Sequence, residues 1–282
     1  MKLVRYGPVG SERPGLIDAD GKVRDLSAHV ADITGAAIAP DNLARLAAID
    51  PVTLPVIYGA PRLGPCVAHV PKFIGVGLNY SDHAAETGQP IPSEPILFHK
   101  ATSSIIGPND DVMLPKDSVK LDWEVELGVV IGAKARYVEE SAALDYVAGF
   151  CVVNDLSERE FQMERGGQWT KGKGGDTFGP IGPWLVTKDE IADAANLNLS
   201  CDVNGERRQS GNTATMVFKV PFLISYISRF MTLMPGDVIA TGTPPGVGLG
   251  MQPPQFLKAG DVMRLSIDGL GTQRQKVVPF RL

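Results

Sequence analysis

Apolar residues along this chain gather in short runs broken by glycine- and proline-bearing turns, which is the pattern of a strand-rich protein. At the N-terminal end, KLVRYG and PGLIDADGKVRDL predict strands joined by turns, with Asp20-Gly21 as a hairpin signal. A helix is expected over residues 40–49, and PRLGPCVAHVPK, residues 61–72, reads as a linker. A small N-terminal domain is therefore expected over residues 1–66, followed by a larger domain over residues 67–282.

Beyond the linker, FIGVGLNY predicts a buried strand running into a loop. Residues 81–99 are polar, carry Gly88, Pro90, Pro92 and Pro95, and have few apolar anchors, so a lid is expected there. VKLDWEVELGVVIG predicts one long strand, EESAALDYVAG a short helix, and FCVVNDLS a second buried strand. GGQWTKGKGGDTFGPIGP reads as a glycine-rich loop, and LNLSCDVNGERRQSG as a hairpin around Asn204-Gly205. VPFLISYISRFM predicts a helix starting at Pro221, with Phe222, Tyr226 and Phe230 on one stripe. A turn, strand and loop over PGDVIATGTPPGVG and a last hairpin over DVMRLSIDGLGTQRQKVVPF complete the pattern. Strands outnumber helices and no regular βα alternation appears, which predicts an α+β fold with a strand-rich core.

Composition narrows the functions. The 282 residues carry a formal net charge of -5, which argues against a general nucleic-acid partner. No stretch approaches the ~18–20 apolar residues of a membrane span, and the start of the chain, MKLVRYGPVGSERPG, lacks a signal peptide's apolar run. The cysteines Cys66, Cys151 and Cys201 are widely spaced, which fits neither a disulfide framework nor a thiolate zinc site. A cytoplasmic protein is expected.

The candidate chemistry centres on Leu121-Asp122-Trp123-Glu124-Val125-Glu126-Leu127. Strand alternation puts Asp122, Glu124 and Glu126 on one face and Trp123, Val125 and Leu127 on the other. The segment could be a half-exposed strand with an acidic outer face. However, GVVIG continues it as a wholly apolar run, so the glutamates stand where the chain enters a core. Buried carboxylates in a row need a counter-charge, and a cation supplies one. Asp155 ends the next apolar strand and could give a third oxygen. All-oxygen ligation favours Mg²⁺ or Mn²⁺ over zinc or copper.

A helical turn over the segment following Gly77 would place His83 and Glu86 at i and i+3, where the carboxylate orients the imidazole and raises its basicity. The alternative is a surface contact. Gly167 to Gly174 imitates a phosphate loop but ends in glycine rather than serine or threonine, and no strand precedes it. Gly75-Val76-Gly77 begins a dinucleotide fingerprint that Tyr80 breaks. Lys173, in the glycine-rich loop, could bind a carboxylate or stabilise an enolate, or be a solvated lysine. The hydroxyls and amides of the loop holding Thr241 and Thr243 could hold a carboxylate, or the loop could be only a turn.

Taken together in order and spacing, GVGLNYSDHAAE, EPILFHK, DWEVELGVVIG, NDLSEREFQ, KGKGGDTFGPIGP and TGTPPGVG resemble the fumarylacetoacetate hydrolase family over residues 72–282. The resemblance implies a mixed β-sheet roll, usually a homodimer. It implies that Glu124, Glu126 and Asp155 bind Mg²⁺ or Mn²⁺ and that His83 and Glu86 form a catalytic dyad on a mobile lid. It further implies that Lys173 is the active-site lysine and that Gln162, Thr243 and Lys100 bind substrate. Asn79 stands where the founding animal enzyme has an extra aspartate ligand, as in shorter bacterial relatives. The implied reaction is metal-dependent hydrolysis of a carbon–carbon bond in a 2,4-dioxo acid, either an acylpyruvate or a 2,4-diketo-3-deoxy sugar acid such as the rhamnonate form. Competing readings are a decarboxylase or keto–enol isomerase on the same metal, a ureidoglycolate lyase, and a metal-dependent oxo-acid binding protein without catalysis.

Overall fold

The computed structural model describes residues 1–86, 88 and 90–281. Among them, two large sheets carry the fold. In the larger, Gly179–Thr187, Val147–Asn154, Val125–Ile131, Val238–Ala240, Phe73–Gly77 and Ile96–Lys100 lie side by side in that order. The first four are joined antiparallel, and Val238–Ala240 pairs parallel to Phe73–Gly77. Every residue of Val125–Ile131 and Val147–Asn154 is buried. Covering on both faces explains why these strands read as apolar runs rather than alternations. Val125, Leu127, Val129 and Ile131 pack into one core, and Val130 into a second core on the opposite face.

The smaller sheet orders Glu206–Asn212, Asn198–Val203, Val262–Ile267, Gly271–Val278 and Val112–Met113. Its buried face supplies Leu199, Cys201, Met263 and Leu265 to the first core. The helix Val220–Phe230 closes that core with Leu223, Ile224 and Ile227. Its other stripe, Phe222, Tyr226 and Phe230, continues from Phe218 just before the helix as a ladder of rings with neighbouring centroids 4.9–5.9 Å apart.

Residues 1–66 contribute Lys2–Tyr6, Arg13–Ile17, Val23–Asp25 and Val56–Ile57, which extend the larger sheet. The join is Lys2 opposite Val186 and Leu3 opposite Leu185. The expected helix spans Pro40–Ala47, with proline in its first turn.

Three expectations change. The long strand over VKLDWEVELGVVIG is broken into Leu121–Asp122 and Val125–Ile131. At the break, side chains replace ladder partners: Trp123 N donates to Asp122 Oδ1, Glu124 N to Asn154 Oδ1, and Val125 N to Gln209 Oε1. The glycine-rich loop contains a helical turn, Thr170–Lys173. Of the expected lid, the Ser81–Glu86 part is a short helix, but residues 96–99 lie in the strand Ile96–Lys100 at the sheet edge. Residues 87 and 89 of that stretch lie outside the described residues.

Candidate active site

The site lies where the ends of the central strands meet. Glu124 sits in the strand break, Glu126 one step into Val125–Ile131, and Asp155 just past Val147–Asn154. The Asp155 amide donates to the Glu124 carbonyl at 2.9 Å, which fixes the two chain ends together. One carboxylate oxygen from each of Glu124, Glu126 and Asp155 falls within 4.8 Å of the others, and all three residues are buried.

Cations surround the cluster unevenly. Lys173 Nζ lies 2.7 Å from Glu124 Oε2 and 2.8 Å from Asp155 Oδ2. Arg159 Nη2 reaches Glu124 Oε1 at 2.8 Å, and Lys100 Nζ reaches Asp155 Oδ1 at 2.6 Å. Burial pushes the Glu124 carboxyl up, but Lys173 and Arg159 outweigh it and hold the pKa at about 2. Glu126 differs. Its Oε2 accepts the Gly242 amide at 2.8 Å, yet burial, then Asp155 and Glu124, push its pKa well above the carboxylate range. A buried carboxylate opposed by two others is the electrostatic gap that a divalent cation fills, and the donors are all hard oxygens. The residues present therefore fit such an ion.

Lys173 is placed by a glycine. A Cβ on Gly172 would lie 2.4 Å from the Glu158 carbonyl oxygen and 2.5 Å from the Gln162 nitrogen, so only glycine lets this turn dock on the helix Arg159–Met163. Burial lowers the Lys173 pKa, but Asp155 and Glu124 more than offset it, and the net shift is upward. For Lys100, burial wins over Asp155 and its pKa falls.

His83 Nδ1 lies 3.2 Å from Glu86 Oε2, as the i, i+3 spacing predicts, and Glu86 Oε1 accepts the Gly246 amide at 2.9 Å. The pair thus bridges the Ser81–Glu86 helix to the TGTPPGVG loop. Both residues line a cavity of about 350 Å³ together with Glu124, Glu126, Arg159, Gln162, Lys173 and Thr243.

Two candidates stand differently from expectation. Lys100 does not line the cavity. Its amine faces Asp155 Oδ1, the Leu156 carbonyl and the Lys173 carbonyl, so its donors are spent within the protein. Thr243 does line the cavity, but its hydroxyl donates to the Val125 carbonyl and accepts from Gln209 Nε2, at 2.9 and 2.7 Å. Gln162 lines the wall and its Oε1 accepts from Arg159 Nη1 at 3.0 Å. Asn79 is a clamp away from the carboxylates: its amide donates to the Phe218 and Thr241 carbonyls.

Sequence reasoning passed over Arg159 and the aromatic wall, and grouped Asp122 with Glu124 and Glu126 on one strand face without foreseeing its separate partners. Arg159 stands four residues after Asp155, a spacing visible in NDLSEREFQ. Asp122 is fully buried outside the carboxylate cluster and accepts from Arg159 Nε and from the amides of Trp123, Gly248 and Leu249. The GVG of the Phe73–Gly77 strand has a packing role. A Cβ on Gly75 would meet the Phe98 ring at 2.2 Å, and one on Gly77 would meet Trp169 at 2.4 Å.

Residues 72–278 match the family model for the C-terminal domain of fumarylacetoacetate (FAA) hydrolase. The chain belongs to the fumarylacetoacetate hydrolase family. A Burkholderia cenocepacia relative provisionally named a hydrolase is 66% identical over 276 residues, 98% of each chain. The fumarylacetoacetate hydrolase from psychrophilic Exiguobacterium antarcticum is 37% identical, with a TM-score of 0.88 over 99% of this chain and all of that one. The maleylpyruvate hydrolase from Sphingobium sp. SYK-6, solved with manganese(II) and pyruvate, is 30% identical, with a TM-score of 0.81 over the whole of both chains. The mixed sheets described above are the fumarylacetoacetate hydrolase fold, and the protein is an enzyme of that family, a hydrolase or isomerase. Among its described residues no helix is long and apolar enough to cross a membrane.

Proposed function

We propose that this fumarylacetoacetate hydrolase family member hydrolyses a carbon–carbon bond in a 2,4-dioxo acid, an acylpyruvate or 2,4-diketo-3-deoxy sugar acid, and releases pyruvate or a related 2-oxo acid. The observation that carries the reading is a cluster of three buried carboxylates, two of which, Glu124 and Glu126, line a cavity together with a buried lysine and a histidine–glutamate pair. The pyruvate and manganese(II) held by the Sphingobium relative support it. In this reading Glu124, Glu126 and Asp155 hold Mg²⁺ or Mn²⁺. Such an ion, when bound, supplies Lewis-acid polarisation of the 2-oxo acid end of the substrate.

The chain's own residues divide the remaining work. Glu86 accepts the Nδ1 proton of His83, which sets the tautomer and leaves Nε2 to take a proton from water. The water oxygen adds to the C4 carbonyl, and the C3–C4 bond then breaks. Its electron pair becomes the enolate of the 2-oxo acid, and the acyl half leaves as a carboxylic acid. Lys173 and Arg159 offer positive charge and hydrogen bonds to the developing enolate. The proton held by His83 returns to C3. Gln162 orients Arg159, and Lys100 and Thr243 hold Asp155 and the Val125 end of the strand break in place. The proposal includes a cytoplasmic homodimer with a small-molecule substrate.

The test is a coupled assay of pyruvate release from acylpyruvates, with and without Mg²⁺ or Mn²⁺, run beside oxaloacetate, an enol tautomer and ureidoglycolate. Cation-dependent pyruvate from the dioxo acid is expected. Turnover confined to oxaloacetate, to ketonisation or to ureidoglycolate would replace this reading with the decarboxylase, the isomerase or the lyase. Binding without any turnover would leave an oxo-acid binding protein.

A further inference from the structure

The cavity wall is charged around the carboxylate cluster and mostly apolar elsewhere. Its two cations, Arg159 and Lys173, are both ion-paired into the carboxylate cluster. The wall's other ionisable groups besides the cluster are His83 and the Glu86 carboxyl. Most of what remains is apolar, including Val76, Phe98, Met163, Trp169 and Leu249, beside the amides of Gln162 and Gln252 and the Thr243 hydroxyl, which is already bonded to the Val125 carbonyl and Gln209. Phe98 and Trp169 pack with centroids 5.4 Å apart and rest on Gly75 and Gly77, so this aromatic corner is built into the sheet.

Three basic residues near the wall do not line it, although the buried Nε of one, Arg208, has no hydrogen-bond partner among the described residues. Arg165, two residues past Met163, pairs with Glu160 at 2.5 Å, and Lys171 donates to the Arg165 carbonyl. Arg208, whose backbone packs on Gly246 of the glycine loop, pairs with Glu206 at 2.6 Å. Among the described residues the wall therefore offers no cation to a second carboxylate beyond Arg159 and Lys173, which face the cluster and the anchored end. A terminal carboxylate on the acyl tail would lose water without gaining a partner and would share the cavity with Glu86.

We propose that the enzyme's substrate is a monoanionic 2,4-dioxo acid with an uncharged, apolar acyl tail, alkyl or aryl, seated on Phe98, Trp169, Met163 and Leu249, and that the cavity discriminates against a terminal carboxylate. The proposal deepens the hydrolase reading and rests on it for the identity of the anchored end. Among the two substrate types above it selects the acylpyruvate, because a polyhydroxylated tail would find few hydrogen-bond partners on this wall.

Binding separates the proposal from the reading beneath it. The Mn²⁺-loaded protein is titrated calorimetrically with a six-carbon 2-oxo monocarboxylate and with the 2-oxo dicarboxylate of equal length. The monocarboxylate is expected to bind at least about tenfold more tightly, the low end of what an unpaired buried charge costs. Equal or tighter binding of the dicarboxylate overturns the proposal, whether or not any dioxo acid is cleaved. Failure of both acids to bind overturns it as well. The expected preference in binding, without cleavage of any acylpyruvate, upholds the tail specificity and sinks the hydrolase reading alone. As a second arm, Met163→Arg places a cation at the rim, where Met163 is 57% exposed and a longer side chain is accommodated. The variant is expected to narrow or reverse the preference, and an unchanged ratio counts against the assigned seat of the tail.

Discussion

Asp122 and Arg159, both buried, meet through a hydrogen bond of 2.8 Å from Arg159 Nε to Asp122 Oδ2. The guanidinium also reaches Glu124 and Gln162, and the Asp122 carboxylate also holds the Gly248 and Leu249 amides. This pair therefore joins the end of the TGTPPGVG loop, through Asp122, to the carboxylate cluster, through the ion pair of Arg159 with Glu124. Asp122→Ala leaves a buried guanidinium short of one partner and three amides, those of Trp123, Gly248 and Leu249, without this acceptor. It should cost about 3–5 kcal/mol, the usual size of breaking a buried pair. Urea unfolding measures this, and a loss under about 1 kcal/mol would show that the pair is not a strut.

Gly172→Ala should displace Lys173. The added methyl would press on two backbone atoms, the Glu158 oxygen and the Gln162 nitrogen, which cannot rotate away as a side chain would. Overpacking of this kind costs about 1–3 kcal/mol. Loss of pyruvate release is expected alongside it. Wild-type stability and turnover together would mean that the turn has slack the structure does not show.

Much of the site was legible because carboxylates at strand ends announce themselves. Glu124, Glu126 and Asp155 each follow or precede an apolar run, and HxxE fixes His83 beside Glu86 through local spacing alone. The strand break was not legible, because it depends on side chains from Asn154 and Gln209, distant in sequence, capping the amides of Glu124 and Val125. The buried placement of Lys173 was hidden for the same reason, since its environment comes from two other segments. Nor could the pattern show that Lys2–Tyr6 pairs with Gly179–Thr187, a contact across most of the chain. GVG imitated a nucleotide motif because glycine serves close approach of any kind, and here the approaching groups are the rings of Phe98 and Trp169.

Added Mn²⁺ should stabilise the protein, because the folded state alone gathers the three carboxylates. At about a hundredfold excess over Kd the gain is about 2.7 kcal/mol by mass action. Glu124→Gln and Asp155→Asn should each fold and each lose most of this increment in a thermal melt. An undiminished Tm increase in either variant would place the ion elsewhere.

His83→Ala should lower dioxo-acid hydrolysis by about 10²–10⁴-fold, the range of a general-base contribution. Any oxaloacetate decarboxylation, which needs no activated water, should fall far less. Glu86→Gln should follow the same pattern more mildly, since the imidazole remains. Equal loss of both activities would reassign His83 to binding.

The most direct measurement of the central claim is hydrolysis of an acylpyruvate in oxygen-18 water by the Mn²⁺-loaded enzyme, with the acyl-derived product analysed by mass spectrometry. Addition of water to the C4 carbonyl predicts a carboxylic acid carrying one solvent oxygen, formed in equal amount with pyruvate. Consumption of the dioxo acid without that labelled acid, through carbon dioxide release or tautomerisation, would contradict carbon–carbon hydrolysis at this site.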